Sequence, residues 1–254
     1  MPVAIITEND GQLHHIGLRL EKVHSTTIFG DVQYYQGWHH DLLVIFINRQ
    51  SVGAESRPDQ INYRAYIRAL KNRGVTRVIA HYRVGSLNLD ISPQKVSILT
   101  DIMDFTNGRI STFFDGETER VQHVEMSEPY CKVMSLRLNQ YAMDYDLHLR
   151  PHAVYVAVPG VRFATPAEVR MFHRLGGDIV GMTGMPELAL AREAGMCVAG
   201  LGYAMNWAAG LQPEFKIDRN GMDQVLLNGL RLSLEVLRRT HDKDCHPAHL
   251  ISPS

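Results

Sequence analysis

The 254-residue sequence predicts an α/β sandwich of three layers: a mixed sheet with helices on both faces, built as one domain over residues 1–254. Three observations carry this prediction. Short apolar runs rich in β-branched residues alternate with segments of helical periodicity. Several of those runs are apolar at successive positions, as strands covered on both faces must be. The composition, 45% hydrophobic and 21% charged, is that of an ordinary globular chain, and a chain of this length buries a core that needs no staple.

In chain order, Val3–Ile6 and Leu43–Ile47 read as strands. A helix over Asn62–Asn72 follows from Tyr63, Ile67 and Leu70 at helical spacing. Arg77–His81 and Ala153–Val158 are the next strands. Thr165-Pro166-Ala167-Glu168 is the clearest helix start: a hydroxyl to accept from a free amide, a proline at the first helical position, and a glutamate to return the capping-box bond. That helix stops at Gly176-Gly177. Asp178–Met182 is a strand, Met185–Ala194 a helix ended by Gly195, and Cys197–Tyr203 the last strand. Met222–Arg239 is a long amphipathic helix with basic residues near its end. No repeat, low-complexity segment or linker interrupts the series. From about Thr240 to Ser254 the chain is polar and proline-interrupted, an ordered arm or a loose tail.

Charge and motif content narrow the function. Lys+Arg 26 against Asp+Glu 27 gives a net charge of −1. There is no basic field to hold a nucleic-acid backbone, so a small-molecule partner is expected, with no nucleic acid and no membrane. The start MPVAIITEND lacks the charge and apolar run of a secretion signal, and no stretch approaches ~18 apolar residues. Cys131, Cys197 and Cys245 are odd in number and widely spaced, which makes no disulfide framework and suits a reducing cytoplasm. His241, Cys245, His246 and His249 cluster, but not at zinc-knuckle or H-E-x-x-H spacing, so neither metal nor cofactor is expected. No G-x-S-x-G, Walker or G-x-G-x-x-G motif occurs.

The informative block runs from Gly160 to Gly210. Two strands in it end in polar or flexible residues, one in Gly181-Met182-Thr183-Gly184-Met185-Pro186-Glu187 and the other in Ala204-Met205-Asn206-Trp207. Ligands of open α/β sheets sit beyond such strand ends. The same residues also suit tight strand–helix turns, with Met182 and Met185 filling core gaps.

This block resembles the trimeric purine nucleoside phosphorylase and methylthioadenosine phosphorylase family, most of all its S-methyl-5'-thioinosine phosphorylase branch. Gly160 to Glu168 matches the family's G-P-x-F/L-E-T-x-A-E stretch, and Gly181 to Glu187 its G-M-[ST]-x-x-P-E stretch. Upstream, Gln60 to Ala65, Val84 to Leu87 and His123 to Cys131 resemble further family segments in the right order. The resemblance implies a partly closed sheet, a homotrimer with shared sites, a cytoplasmic setting, and cleavage of a purine N-glycosidic bond with phosphate. It implies that Phe163 stacks on the purine, Met182 lies under the ribose, Thr183 touches phosphate or ribose, and His123 reaches the nucleoside's 5' end from a neighbouring subunit. Asn206 falls at the base-reading position with Ala208 two residues on, where adenine-preferring branches carry aspartates. An Asn amide can donate to N7 and O6 of a 6-oxopurine and stabilise the departing base. The expected substrate is therefore a 6-oxopurine nucleoside such as 5'-methylthioinosine.

Departures from the family fall mainly on the phosphate site. Where the family has a glycine-rich loop after the first strand, this chain has Thr7-Glu8-Asn9-Asp10-Gly11. A carboxylate facing phosphate at about 5 Å costs roughly 3 kcal/mol at an effective dielectric near 20. The R-H-G loop becomes Arg49-Gln50-Ser51, a small residue becomes Arg83, and the purine-edge glutamate becomes Ala164. Arg49, Gln50, Arg83 and Thr183 remain as anion ligands, with forked contacts expected from the two arginines. Arg83 could instead pair with Glu8 or Asp10. Three functions are compatible with these residues: phosphorolysis at a rebuilt anion site, hydrolysis with Glu8 or Asp10 as the base for water, and nucleoside binding without catalysis.

Overall fold

The computed structural model describes residues 1–8, 11–51, 57–116 and 120–252. Strand β1 (Val3–Thr7) is buried at all positions, because it lies inside the sheet with layers on both faces. It pairs in parallel with β4 (Leu42–Asn48) on one side and β5 (Arg77–Ser86) on the other. Beyond β4 lie β3 (Gly30–His39) and β2 (Glu21–Thr27), an antiparallel hairpin that forms an open wing. On its other edge β5 pairs in parallel with β10 (Cys197–Trp207). Strands β6 (Val96–Asp104), β8 (Leu149–Ala157) and β9 (Ile179–Gly181) lead from β10 back to β5, so β5, β10, β6, β8 and β9 close into a ring. The sheet is thus mixed and partly closed, as expected.

Helices cover both faces. Helices α1 (Tyr63–Asn72) and α4 (Gly184–Glu193) pack together over one core, which contains Tyr66, Ile67, Tyr82 and Leu188. Helices α2 (Lys132–Tyr141) and α5 (Met222–Arg239) pack together over the other, with Leu138, Leu230 and Leu234. Helix α3 (Pro166–Arg174) covers a third, smaller cluster around Val156, Val169 and Phe172.

The six expected strands and four expected helices are all present. The Thr165 cap is a full capping box, its hydroxyl accepting from the Glu168 amide and the Glu168 carboxylate from the Thr165 amide. The hairpin, β6 and α2 were not foreseen. In β2 the side chains alternate between exposed and half-buried, and its sequence EKVHSTT carries little apolar signal. Helix α2 buries only Met134 and Leu138, so its amphipathic pattern is faint.

The C-terminal segment is a docked arm as far as Ile251. Asp242 pairs with Arg77 at 2.9 Å and Asp244 with Arg137 at 3.1 Å. Strand β11 (Leu250–Ile251) then pairs antiparallel with β7 (His123–Val124).

Candidate active site

The ends of β1, β4, β5, β8, β9 and β10 converge on a cleft of about 290 Å³. Its size lies at the lower end of the roughly 300–1,000 Å³ typical of small-molecule sites. Phe163, Ala164, Met182, Thr183, Asn206 and Ala208 line it together with Arg49, Gln50 and Arg83. Nine of the ten expected site residues therefore meet in one place. The tenth, His123, lies exposed on β7 outside the cleft, so within one chain it does not reach a ligand there.

The floor of the cleft is a turn held from beneath. Tyr155 on β8 accepts hydrogen bonds from the Thr183 and Gly184 amides at 3.3 and 3.2 Å. A Cβ at Gly181 would sit 2.2 Å from the Tyr155 hydroxyl, so only glycine allows this approach. Arg109, from the segment after β6, donates to the Met182 and Met185 carbonyls at 2.7 and 2.5 Å and to the Pro159 carbonyl at 2.7 Å. Arg109 has no sequence signal, because its partners are main-chain atoms 50, 73 and 76 residues away.

Behind the floor lies an ion pair. Arg49 donates from Nε and Nη2 to the two Glu187 oxygens at 2.6 and 2.7 Å, and from Nη1 to the His81 carbonyl at 2.8 Å. Glu187 also accepts from the Tyr66 and Tyr82 hydroxyls at 2.5 and 2.7 Å. Burial opposes the charge on Arg49, but the Glu187 carboxylate outweighs it and holds the guanidinium protonated. Burial, then Glu187, pushes both phenols well up, so they remain donors. The expected forked contact from Arg49 to an anion is corrected accordingly: the fork is occupied by Glu187. Glu187 stands in the quoted motif, yet the pattern gave no hint that its partner is Arg49.

The anion corner is mixed in sign. Glu8, at the end of β1, accepts from the Thr183 hydroxyl at 3.3 Å and from the Arg83 amide. Burial pushes its carboxyl above the usual value, against the pull of Arg49 and Arg83. The Arg83 guanidinium makes no ion pair with Glu8, and has no hydrogen-bond partner among the described residues. Gln50 is anchored through its amide, which donates to Asn48 Oδ1 at 3.0 Å. Asn9 and Asp10, the latter also considered as a base, lie outside the described residues.

At the base end, Asn206 is buried and donates from Nδ2 to the Trp207 carbonyl at 2.8 Å. Its second amide hydrogen remains for a ligand. Phe163 meets Phe215 with ring centroids 4.9 Å apart and is 52% exposed, an aromatic wall at the mouth. Phe215, Ile217 and Arg219 also line the cleft and were not singled out, although their alternation in a polar loop is visible in the sequence.

Comparison with known proteins gives a consistent picture. The profile of a family described as the phosphorylase superfamily matches residues 2–238. The chain is 45% identical over 186 residues to "Probable S-methyl-5'-thioinosine phosphorylase" of Methanopyrus kandleri, covering 73% of this chain and 70% of that protein. It is 44% identical over 190 residues to the 6-oxopurine nucleoside phosphorylase of Pyrococcus furiosus, covering 73% and 72%. Among solved structures, methylthioadenosine phosphorylase from Schistosoma mansoni in complex with tubercidin superposes with a TM-score of 0.86, at 25% identity and with 95% and 93% of the two chains covered.

Proposed function

This chain belongs to the phosphorylase superfamily, and from that premise we propose that it cleaves the N-glycosidic bond of a 6-oxopurine nucleoside, 5'-methylthioinosine among them, with phosphate as acceptor. The observation that carries this reading is the pairing of Asn206 and Ala208 with the Gly181–Thr183 turn across one cleft. The base lies against Phe163, with Asn206 donating to it, and the sugar lies over Met182. A phosphate oxygen attacks the anomeric carbon. The carbon–N9 bond breaks, its electron pair passes to the purine, and the donor at N7 stabilises the developing charge. The sugar leaves as its 1-phosphate, and the purine anion takes a proton from solvent to leave as the free base. Arg83 and Thr183 hold the anion: unlike Arg49, Arg83 has no hydrogen-bond partner for its guanidinium among the described residues, and it lies beside Glu8 and Thr183 at the end of β5.

Glu8 favours a second reading, because its carboxyl sits where an acceptor would approach. In its ionised form it can take a proton from water, and the products are then free sugar and base. Cleavage of 5'-methylthioinosine measured with phosphate, with arsenate and with neither decides between the two. The expected result is turnover only with an oxyanion, a sugar 1-phosphate as product, and its loss in Arg83→Ala with nucleoside binding retained. An undiminished rate without phosphate, abolished in Glu8→Gln, would overturn phosphorolysis in favour of hydrolysis.

A further inference from the structure

Three cysteines far apart in sequence converge at the opposite end of the sheet from the cleft. Cys197 is the first residue of β10 and Asn206 lies near its end, a separation of roughly 30 Å at strand rise. Cys131 caps the N-terminus of α2, its amide bonded to the Val198 carbonyl at 2.6 Å. Cys245 comes from the docked arm. All three are buried, and their sulfurs lie within 4.8 Å of one another. The Cys131–Cys245 separation is 3.8 Å, and a tetrahedral centre with metal–sulfur bonds of about 2.3 Å has edges of about 3.8 Å.

We propose that Cys131, Cys197 and Cys245 form a site for a soft d10 metal ion, with Zn2+ as its test ligand. A cavity of about 520 Å³ beside the sulfurs is lined by His246, His249 and Arg192, leaving room for an imidazole or a water as fourth ligand. The first amides of α2, those of Val133 and Met134, point at the Cys131 sulfur, and a helix N-terminus of this kind favours a thiolate. Arg192 is buried, and its Nε has no hydrogen-bond partner among the described residues. It lines the same cavity as Cys131 and Cys197. On binding, each thiol passes its proton to solvent and its sulfur pair to the metal, so affinity rises with pH. The ion joins β10, α2 and the arm. Because the arm continues into β11, it also secures β7 and the exposed His123.

The test uses the full chain, reduced and shown by thiol titration to carry three free cysteines. Zn2+ is titrated against a chromogenic chelator and counted by native mass spectrometry, and Co2+ is substituted for spectroscopy. The expected result is one ion per chain and thiolate-to-cobalt charge-transfer bands. Cys245→Ser should lose more than the roughly 10–100-fold in affinity that changes outside the ligand set cost. The wild-type titration stands without the variant should Cys245→Ser fold poorly. Sub-stoichiometric or weak Zn2+ binding, a cobalt spectrum without thiolate bands, or a Cys131–Cys245 disulfide in protein thiol-trapped from cells would overturn the proposal.

Discussion

Asn206 and Glu8 carry most of what separates this cleft from its alternatives. Asn206 keeps one amide hydrogen for a ligand after its bond to Trp207. A 6-oxopurine offers acceptors at N7 and O6, whereas a 6-aminopurine presents a donor at the second position. Asn206→Asp should therefore shift the ratio of kcat/KM from inosine-type toward adenosine-type nucleosides. A mismatched hydrogen bond in a buried site costs about 1–3 kcal/mol, and an unchanged ratio would show that Asn206 does not read the base. Glu8 sets the pH response. Its folded pKa is raised, chiefly by burial, so its protonated form persists above the ordinary carboxylate range and the ionised form is reached only as pH rises further. Stability falls as pH rises from the unfolded to the folded value, because the unfolded chain releases this proton first. Ionised Glu8 repels phosphate, so phosphorolysis should decline as pH rises through the Glu8 titration, and Glu8→Gln should flatten that limb of the profile. A hydrolytic reaction using Glu8 as base would give the opposite slope. That Phe163, Met182 and Asn206 belong to one cleft is legible in the sequence because they sit in contiguous motifs. The pairing of Arg49 with Glu187 is not, because it joins residues 138 positions apart that only the fold brings together.

At the scale of elements, that pairing fastens the start of α4 to the end of β4, and the two tyrosines extend it to α1 and β5. Buried ion pairs give little net stability, yet breaking one is costly because the other charge is left unpaired. Glu187→Gln should destabilise the protein by about 3–5 kcal/mol, read as a fall in Tm or denaturant midpoint. It should also free the Arg49 fork toward the cleft. If stability is unchanged, the network does not hold these elements together. Legibility among elements follows burial on both faces. Strands β1, β4 and β10 are continuous apolar runs and were found, whereas β2 and β3 form a polar wing whose ladder bonds leave little mark on the side-chain pattern. Strand β5 was expected to end at His81 but runs to Ser86. Arg83, Val84 and Gly85 near its end line the cleft, so the polar and flexible positions there reflect the site and not the end of the strand. Function thus obscured the boundary that it depends on.

For the whole molecule, the placement of His123 bears on how many chains complete a site. His123 is exposed on β7 and outside its own cleft, while the chain around it shows apolar side chains to solvent: Ile110 is 60% and Val121 45% exposed. Contiguous exposed apolar residues mark association surfaces, and a closed ring of copies would cover Ile110 and Val121 while presenting His123 to a neighbour's cleft. A homotrimer is the assembly proposed. Sedimentation should then give three times the chain mass at micromolar concentration. Val121→Asp places a charge in the covered surface and should dissociate the assembly, lowering kcat/KM for 5'-methylthioinosine. His123→Ala should lower the same constant through the 5' group while the assembly stays intact. The two variants separate loss of association from loss of contact, since only Val121→Asp changes the mass. A wild-type protein that sediments as a monomer and is fully active would place the whole site within one chain, and His123 outside it.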